Sequence, residues 1–334
     1  MKLDWRGALG IVVSIVLLVW VLHGIPFSEV WAQLRASNVW LFLLSAAVGT
    51  SCFLLRARRW RPILDPVARK LPFGMLWRAT AIGFMVNNVV PARAGELARA
   101  YALTRETDKV PFSAALASLA VDRLFDALVV LSLTLVAMLA PAFPADTRIA
   151  GQPVARWALV GVASMAVVMV LLYAIVFFPD RLIAAYGALA RKIWPPAEAR
   201  GQDILHHFAA GLSVLRDPVR FLTILGWALA HWLTNGLAFW LAFRAVGITA
   251  PYSAALFLQG LIVLGVAIPS SPGFFGVFEA FATLGLGVYG VPKELAVSWA
   301  IGYHVLSFIP ITLIGAWYFA RLGLHLSDVE PQQQ

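Results

Sequence analysis

Charged residues are scarce in this sequence. Asp, Glu, Lys and Arg make up only 13% of its 334 residues, against about 25% in ordinary soluble domains, and 61% of the residues are hydrophobic. That composition excludes a soluble enzyme. The single cysteine, Cys52, cannot form an internal disulfide, so the cysteine count says nothing about the redox compartment. The sequence also lacks a nucleophile elbow, a zinc-ligand spacing and a Walker loop, and we expect no enzymatic activity, no cofactor and no metal.

Long apolar runs are present instead. They recur along the whole chain, and a run such as 158–178 is long enough for a helix to cross a hydrocarbon core of about 30 Å. The fold class predicted is all-α, a polytopic integral membrane protein with a single transmembrane domain over residues 1–334. Hydropathy and turn signals predict six full spans, at 7–23, 38–55, 111–140, 156–178, 219–245 and 294–320.

Two further apolar segments, 73–103 and 252–289, are interrupted at mid-length by proline and glycine. Each could be one span plus a surface helix, or a re-entrant helical hairpin that enters and leaves the membrane on one side. The charge distribution favours two hairpins. With both as hairpins, 17 of the 26 Lys and Arg residues, Arg56 and Arg59 among them, lie on the cytoplasmic side, as the positive-inside rule requires.

The two halves of the chain repeat one order of segments. A first repeat over 38–140 contains the hairpin 73–103, which enters from the cytoplasm. A second repeat over 219–320 contains the hairpin 252–289, which enters from outside, so the repeats are inverted. Residues 179–218 form a basic, amphipathic cytoplasmic linker between them. Interrupted segments at corresponding places in inverted halves indicate a transporter site near the bilayer midplane.

Seven charged residues lie inside the predicted membrane segments, where each costs about 2.5 to 3.5 kcal/mol at the bilayer centre. They are Arg93, Glu96, Arg99, Asp122, Arg123, Asp126 and Glu279. The first six could simply neutralise one another, because three arginines and three acids sum to zero. Alternatively, their guanidinium groups line a cavity for an anionic headgroup, because guanidinium matches phosphate geometry and stays charged when buried. We favour the second interpretation.

The two interruptions supply further candidates. The first would point a helix N-terminus into the bilayer, and the second offers hydroxyl groups and glycines that permit close backbone approach. Glu279 could couple transport to protons, or it could be a protonated carboxyl that bonds across helices. The remaining predicted site residues are Asn87 and Asn88, which could contact substrate or satisfy hairpin backbone groups, and Pro269, Ser270, Ser271 and Gly273.

Four motifs carry a resemblance to a known family. They are Arg59-Trp60, Pro91-x-Arg93-x-Gly95-Glu96-x-x-Arg99, Asp122-Arg123-x-Phe125-Asp126, and Pro269-x-Ser271-Pro272-Gly273-x-x-Gly276-x-x-Glu279. From about residue 40 to 320 the sequence resembles the flippase-like transmembrane domain of lysylphosphatidylglycerol synthases, also known as multiple peptide resistance factor, in a free-standing form without the synthase half. The resemblance implies lipid translocation, with these polar motifs near the site.

We therefore expect a lipid translocase of the bacterial inner membrane with both termini in the cytoplasm. It would move an anionic phospholipid, a polyprenyl phosphate or a glycolipid, and a lipid-biosynthetic enzyme could be its partner. Nucleic acid is not expected, because the excess of basic residues is explained by the cytoplasmic loops. The alternative is a non-transporting membrane partner of a lipid-modifying or glycosyl transferase. A third interpretation is an embedded transferase with Glu96 or Asp126 as base.

Overall fold

The computed structural model describes residues 5–90, 94–144, 146, 148–149, 151–195, 198, 201–202, 216–268 and 270–324. The described chain is mostly helical, which confirms the all-α prediction in outline. Its helices are α1 Trp5–Leu22, α2 Phe27–Ala36, α3 Val39–Leu64, α4 Phe73–Val89, α5 Gly95–Glu106, α6 Phe112–Met138, α7 Val154–Phe177, α8 Pro179–Ile193, α9 Pro218–Ala245, α10 Tyr252–Val266, α11 Val277–Val288 and α12 Lys293–Arg321. A two-residue antiparallel ladder that we did not predict pairs β1 Arg148–Ile149 with β2 Gln152–Pro153.

Two helices of the described chain, α3 and α12, are long and apolar enough to cross a membrane. The helical segments Ile11–Leu22 and Phe27–Ala36, bent by 78° at their junction, would make a third span if they count as one. Helices α6 and α9 have 27 and 28 residues, about 40 Å at 1.5 Å per residue, but polar side chains in their middles lower their hydropathy. The six spans stay a prediction.

Helix α3 continues past the predicted end of its span at residue 55. It begins after Asn38, whose side-chain oxygen accepts hydrogen bonds from the N–H groups of Trp40 and Leu41, both at 3.1 Å. It runs through Arg56 and Arg59, which are 4% and 0% exposed. Both arginines are therefore inside the protein rather than in a solvated loop, and their position on the cytoplasmic side stays a prediction. The helix continues because carboxylates of a neighbouring helix compensate both charges.

Both interrupted segments fold back on themselves as antiparallel helix pairs. In the first pair, Gly83 of α4 lies against Gly95 of α5, and the base is closed by an ion pair between Arg78 and Glu106. In the second pair, Gly265 of α10 lies against the ring of Phe281 on α11, as the residue spacing of an antiparallel pair requires. Insertion of the two pairs into a membrane as re-entrant hairpins stays a prediction.

The last helix, α12, contacts both pairs beside their breaks. Asn88, at the end of α4, donates a hydrogen bond from Nδ2 to Oγ1 of Thr312 at 2.7 Å. In the second break, the carbonyl oxygen of Gly273 lies 2.8 Å from Nε2 of His304. Both breaks therefore lie against the middle of α12.

The bases of the two pairs lie toward opposite ends of α12. Arg78, at the base of the first pair, is close enough to Tyr318 near the C-terminal end of α12 to interact with it electrostatically. The second pair ends at Val288, just before α12 begins at Lys293. The two pairs thus reach the middle of α12 from opposite ends of the molecule.

Candidate functional site

Five buried charged side chains gather between α3, α5 and α6. We call them the arginine cluster: Arg56, Arg59, Arg99, Asp122 and Asp126. Each is exposed by 6% or less. With every group ionised, three arginines and two aspartates leave one positive charge uncompensated in the cluster.

Arg59 holds the centre of the cluster. Its Nε donates to Oδ1 of Asp122 at 2.7 Å, and its Nη1 donates to Oδ1 of Asp126 at 2.8 Å. The two aspartates can share one partner because their i, i+4 spacing places both carboxylates on one face of α6. Arg56 bonds to Asp126 and lies 3.4 Å from Asp122, and Nε1 of Trp232 donates to Asp126 at 3.0 Å. Both aspartates are thus fully paired.

Arg99 is the least satisfied member of the arginine cluster. Its Nη1 donates to Oδ2 of Asp122 at 3.2 Å, and its guanidinium carbon lies 4.1 Å from the ring centre of Trp60. Its Nε and Nη2, both buried, have no hydrogen-bond partner in the described part of the chain, and the same holds for Nε of Arg56. A buried donor without a partner costs about 1 to 3 kcal/mol, so an acceptor placed here would bind favourably.

Two glycines bring Arg99 into the cluster. A Cβ on Gly83 would lie 2.7 Å from the carbonyl oxygen of Gly95 and 2.8 Å from Cβ of Arg99, so only glycine allows α5 to pack this closely on α4. At the start of α5, Oδ1 of Asn87 accepts the N–H of Gly95 at 2.9 Å. Asn87 therefore accepts a hydrogen bond from the backbone of the first helix pair, which was one of the two roles we considered for it.

A half-exposed ion pair extends the arginine cluster toward the surface. Arg123 and Glu96 bond to each other, with 48% and 39% of their side chains exposed. Arg123 also lies 3.8 Å from Oδ2 of Asp126. The predicted site residues Arg93 and Pro269 lie outside the described residues.

The structure brings five of the six predicted charged residues together, but with additional partners. Asp122 and Asp126 bond mainly to Arg56 and Arg59, two site members that we missed, so the six do not form a self-contained neutral set. The signal was present in the sequence, because Arg59 belongs to one of the recognised motifs and Arg56 precedes it by three residues, on the same helix face.

A second polar group lies at the break of the second pair. Oε2 of Glu279 accepts the N–H of Gly276 at 2.6 Å, which caps α11, and Oε1 lies 2.6 Å from Nδ1 of His304. Glu279 has no basic neighbour in the sequence, but α12 supplies one in the fold. The N–H of Ser271 donates to Oγ of Ser14 at 2.8 Å. Oγ of Ser270 is buried without a partner in the described chain.

Three curated relatives match nearly the whole chain. A UPF0104 membrane protein of Methanothermobacter thermautotrophicus is 23% identical over an alignment of 308 residues, gaps included, that covers 86% of this chain and 85% of that protein. The UPF0104 membrane protein PH1989 of Pyrococcus horikoshii is 22% identical and covers 92% of this chain and 93% of its own. Glycosyltransferase AglD of Haloferax volcanii is 25% identical over 92% of this chain, and the match spans 52% of AglD.

The family comparison agrees with the motifs quoted above. The family described as lysylphosphatidylglycerol synthase TM region matches residues 7–315. Together with its long apolar helices, this match makes the chain a multi-pass membrane protein and a member of the lysylphosphatidylglycerol synthase TM region family.

Proposed function

We propose that this protein moves an anionic lipid between the leaflets of a membrane and that Arg99 binds the phosphate of the headgroup. The observation that carries this proposal is the free edge of the Arg99 guanidinium. Its Nε and Nη2 are buried and unpartnered within the described chain, in a cluster that has one positive charge in excess.

The free edge has the geometry that phosphate recognition needs. The N–H groups on Nε and Nη2 of a guanidinium are parallel, so two oxygens of one phosphate can accept both. Nη1 of Arg99 is held by Asp122, and the ring of Trp60 supports the guanidinium face. The side chain is therefore already oriented, and little conformational entropy is lost when a ligand binds.

We infer that a headgroup reaches Arg99 past the half-exposed pair of Arg123 and Glu96, because this pair adjoins the arginine cluster at Asp126. In this conformation the arginine cluster itself is closed, so a headgroup enters only when the first helix pair moves. The arrangement of two antiparallel pairs that reach the middle of α12 from opposite ends suits such a movement, because either pair can open while the other stays shut. We infer that they are re-entrant hairpins in inverted repeats near the bilayer midplane.

The same argument extends to orientation in the membrane. The Lys and Arg distribution favours cytoplasmic ends for both termini and a cytoplasmic position for the linker 179–218, most of which lies outside the described residues. A bacterial inner membrane is our inference from the sequence, while the matched relatives come from archaea.

A second candidate function is support of a glycosyltransferase without transport. The match to AglD favours it, because this chain aligns with about half of a protein that is named a glycosyltransferase. In that case the membrane region would hold a lipid carrier for an enzyme, and the arginine cluster would bind the phosphate of that carrier.

Reconstitution into lipid vesicles tests the proposal. Purified protein alone is expected to speed the movement of a labelled phospholipid or polyprenyl phosphate between leaflets. Arg99→Gln is expected to slow it by about tenfold or more, because it removes charged hydrogen bonds worth about 1.5 to 3 kcal/mol. The matched control is Arg58→Gln, which removes an exposed arginine on α3 that stacks on Phe73 and is expected to leave the rate unchanged.

Two outcomes would contradict lipid translocation. Wild-type protein that binds lipid through Arg99 but moves none of the lipids would favour the partner function. A covalently modified lipid would favour the embedded transferase. Equal rates for Arg99→Gln and wild type would remove Arg99 from the site.

A further inference from the structure

The second break contains a hydrogen-bonded pair that the proposed headgroup site does not use. Glu279 and His304 are 2% and 7% exposed, and their facing atoms, Oε1 and Nδ1, are 2.6 Å apart. The other atom of each side chain reaches the backbone of the break. Oε2 of Glu279 accepts the N–H of Gly276, and Nε2 of His304 lies 2.8 Å from the carbonyl oxygen of Gly273. The pair therefore ties the break to the middle of α12.

The partners of this pair fix the number of its protons. The carbonyl oxygen of Gly273 can only accept, so Nε2 of His304 must carry a hydrogen. One proton then lies between Nδ1 and Oε1, either on the ring as imidazolium beside a carboxylate or on Glu279 as a carboxylic acid beside a neutral ring. In both forms the pair is neutral overall, which suits a buried apolar position.

Aromatic rings surround the pair. The ring of Phe275 stacks on His304 at 4.5 Å between centres, and the ring of Phe278 lies 4.4 Å from it. Among the described residues, the titratable side chain next to these rings is Tyr303, whose ring stacks on Phe278. In the described chain neither Glu279 nor His304 takes part in a second ion pair.

The helices packed beside the pair contribute uncharged groups. Uncharged groups in contact with α11, α12 or the break include Ser14 from α1, Leu34 from α2, Phe42 and Gly49 from α3, Asn88 from α4 and Phe239 from α9. The charged Arg78 of α4 lies away from the break, near Tyr318 toward the C-terminal end of α12. The proton shared by Glu279 and His304 is therefore the main variable charge at this end of the second pair.

We propose that Glu279 and His304 form a one-proton site that holds the second break closed against α12, with His304 as the positioning residue. When the shared proton leaves to water, Nδ1 and Oε1 become two acceptors facing each other at hydrogen-bond distance, and they repel. His304 then turns away, and its bond to Gly273 is lost with it. The role in transport rests on the proposed lipid translocation: opening of the break is the step that exchanges the proton.

Thiol labelling of the break tests this site without any lipid transport. Cys52 is the single cysteine, so Cys52→Ser gives a background without thiols. Ser270→Cys then places a thiol where the native oxygen is buried and makes no hydrogen bond in the described chain. The reference is Ile268→Cys, 39% exposed in the same segment. The ratio of the two labelling rates cancels the effect of pH on the reagent. The Glu279→Gln variant carries the same two thiols, so comparison with it corrects for their different ionisation.

Three further substitutions distinguish an effect of the shared proton on the labelling ratio from an effect of side-chain packing. In wild type the labelling ratio is expected to be low near neutral pH and to rise about tenfold in alkali, as a charged hydrogen bond is lost. Glu279→Gln is expected to keep the ratio well below that of wild type in alkali, because its amide donates to His304 and accepts from Gly276 at every pH. His304→Phe keeps an aromatic ring but loses both bonds, so the ratio is expected to be high throughout. His231→Phe, at the other histidine that is buried in the described part of the chain, is the control and should leave the wild-type pattern intact.

Two results would overturn the proposal: a Glu279→Gln profile that titrates like wild type, or a His304→Phe break as protected as wild type. If His304→Phe does not fold, the Glu279→Gln profile alone decides, since it retains all three hydrogen bonds. The labelling experiment and the lipid-transport experiment can give independent results. Protein that shows the pattern but moves no lipid would refute the transport function and leave the proton site standing.

Discussion

At the scale of single residues, different members of the arginine cluster contribute to the stability of the fold and to the proposed phosphate binding. Asp122 compensates Arg59 and Arg99 and lies near Arg56, whereas Arg99 adds a charge that neither aspartate requires. Asp122→Asn is therefore expected to lower the free energy of unfolding by about 3 to 5 kcal/mol, the usual effect of leaving buried charges uncompensated. Arg99→Gln is expected to lower it far less, because Asp122 keeps two arginines.

Thermal unfolding of both variants in the same detergent measures this difference. The double variant Asp122→Asn with Arg99→Gln should recover part of the loss, because it removes one of the stranded positive charges. If Arg99→Gln alone destabilises the protein as much as Asp122→Asn does, Arg99 is a structural member of the cluster and the phosphate proposal loses its support.

Members of the site could be predicted from the sequence only where a charged residue stands inside an apolar run, so that its burial in lipid would be costly. Charged residues in apolar runs identified Arg99, Asp122 and Asp126 because each would be costly in lipid. Arg56 and His304 were missed for opposite reasons. Arg56 lies at the edge of an apolar run among other arginines, where a cytoplasmic position explains it equally well. His304 is a single histidine whose partner comes from a different helix.

At the scale of helices, close packing of α4 on α5 depends on Gly83. Gly83→Ala is expected to destabilise the protein by about 1 to 3 kcal/mol, since the added methyl group meets backbone and Arg99 and must push the two helices apart. The control is Gly226→Ala in α9, where nothing lies within 4 Å of the added atom. It should be neutral or stabilise by up to about 1 kcal/mol through helix propensity.

Unfolding temperatures of these two alanine variants, compared with wild type, check the expectation. Because Gly83 also sets the position of Arg99, Gly83→Ala should slow lipid movement in the folded protein as well. A Gly83→Ala protein as stable and as active as Gly226→Ala would show that the first pair tolerates a wider separation than its contacts imply.

Helix boundaries follow from the sequence only in part. The breaks near 91–95 and 269–273 were predictable because proline and glycine interrupt apolar runs. The end of α3 was not, because hydropathy falls at Arg56 while the helix continues to Leu64. Its continuation depends on carboxylates some sixty residues later in the chain, and periodicity carries no information about such a partner.

At the scale of the whole molecule, the paired helices reach the middle of α12 from opposite ends. Their insertion in a membrane makes a prediction about sidedness. If the first helix pair is a re-entrant hairpin, its flanking residues Arg69 and Lys109 lie on one side of the membrane. If the second is a hairpin, Thr249 and Lys293 lie together on the other side. A break that crosses straight through would place its two flanks on opposite sides.

Single cysteines at these four exposed positions, each in the Cys52→Ser background, can be labelled in intact cells with a reagent that does not cross membranes. Thr249→Cys and Lys293→Cys are expected to react at once, and Arg69→Cys and Lys109→Cys only after the membrane is opened, because basic loops stay in the cytoplasm. Opposite behaviour within either pair would identify that segment as a full crossing. The two repeats would then no longer be inverted with respect to the membrane. The inference that the two helix pairs open in turn, and so give access to Arg99, would lose its basis.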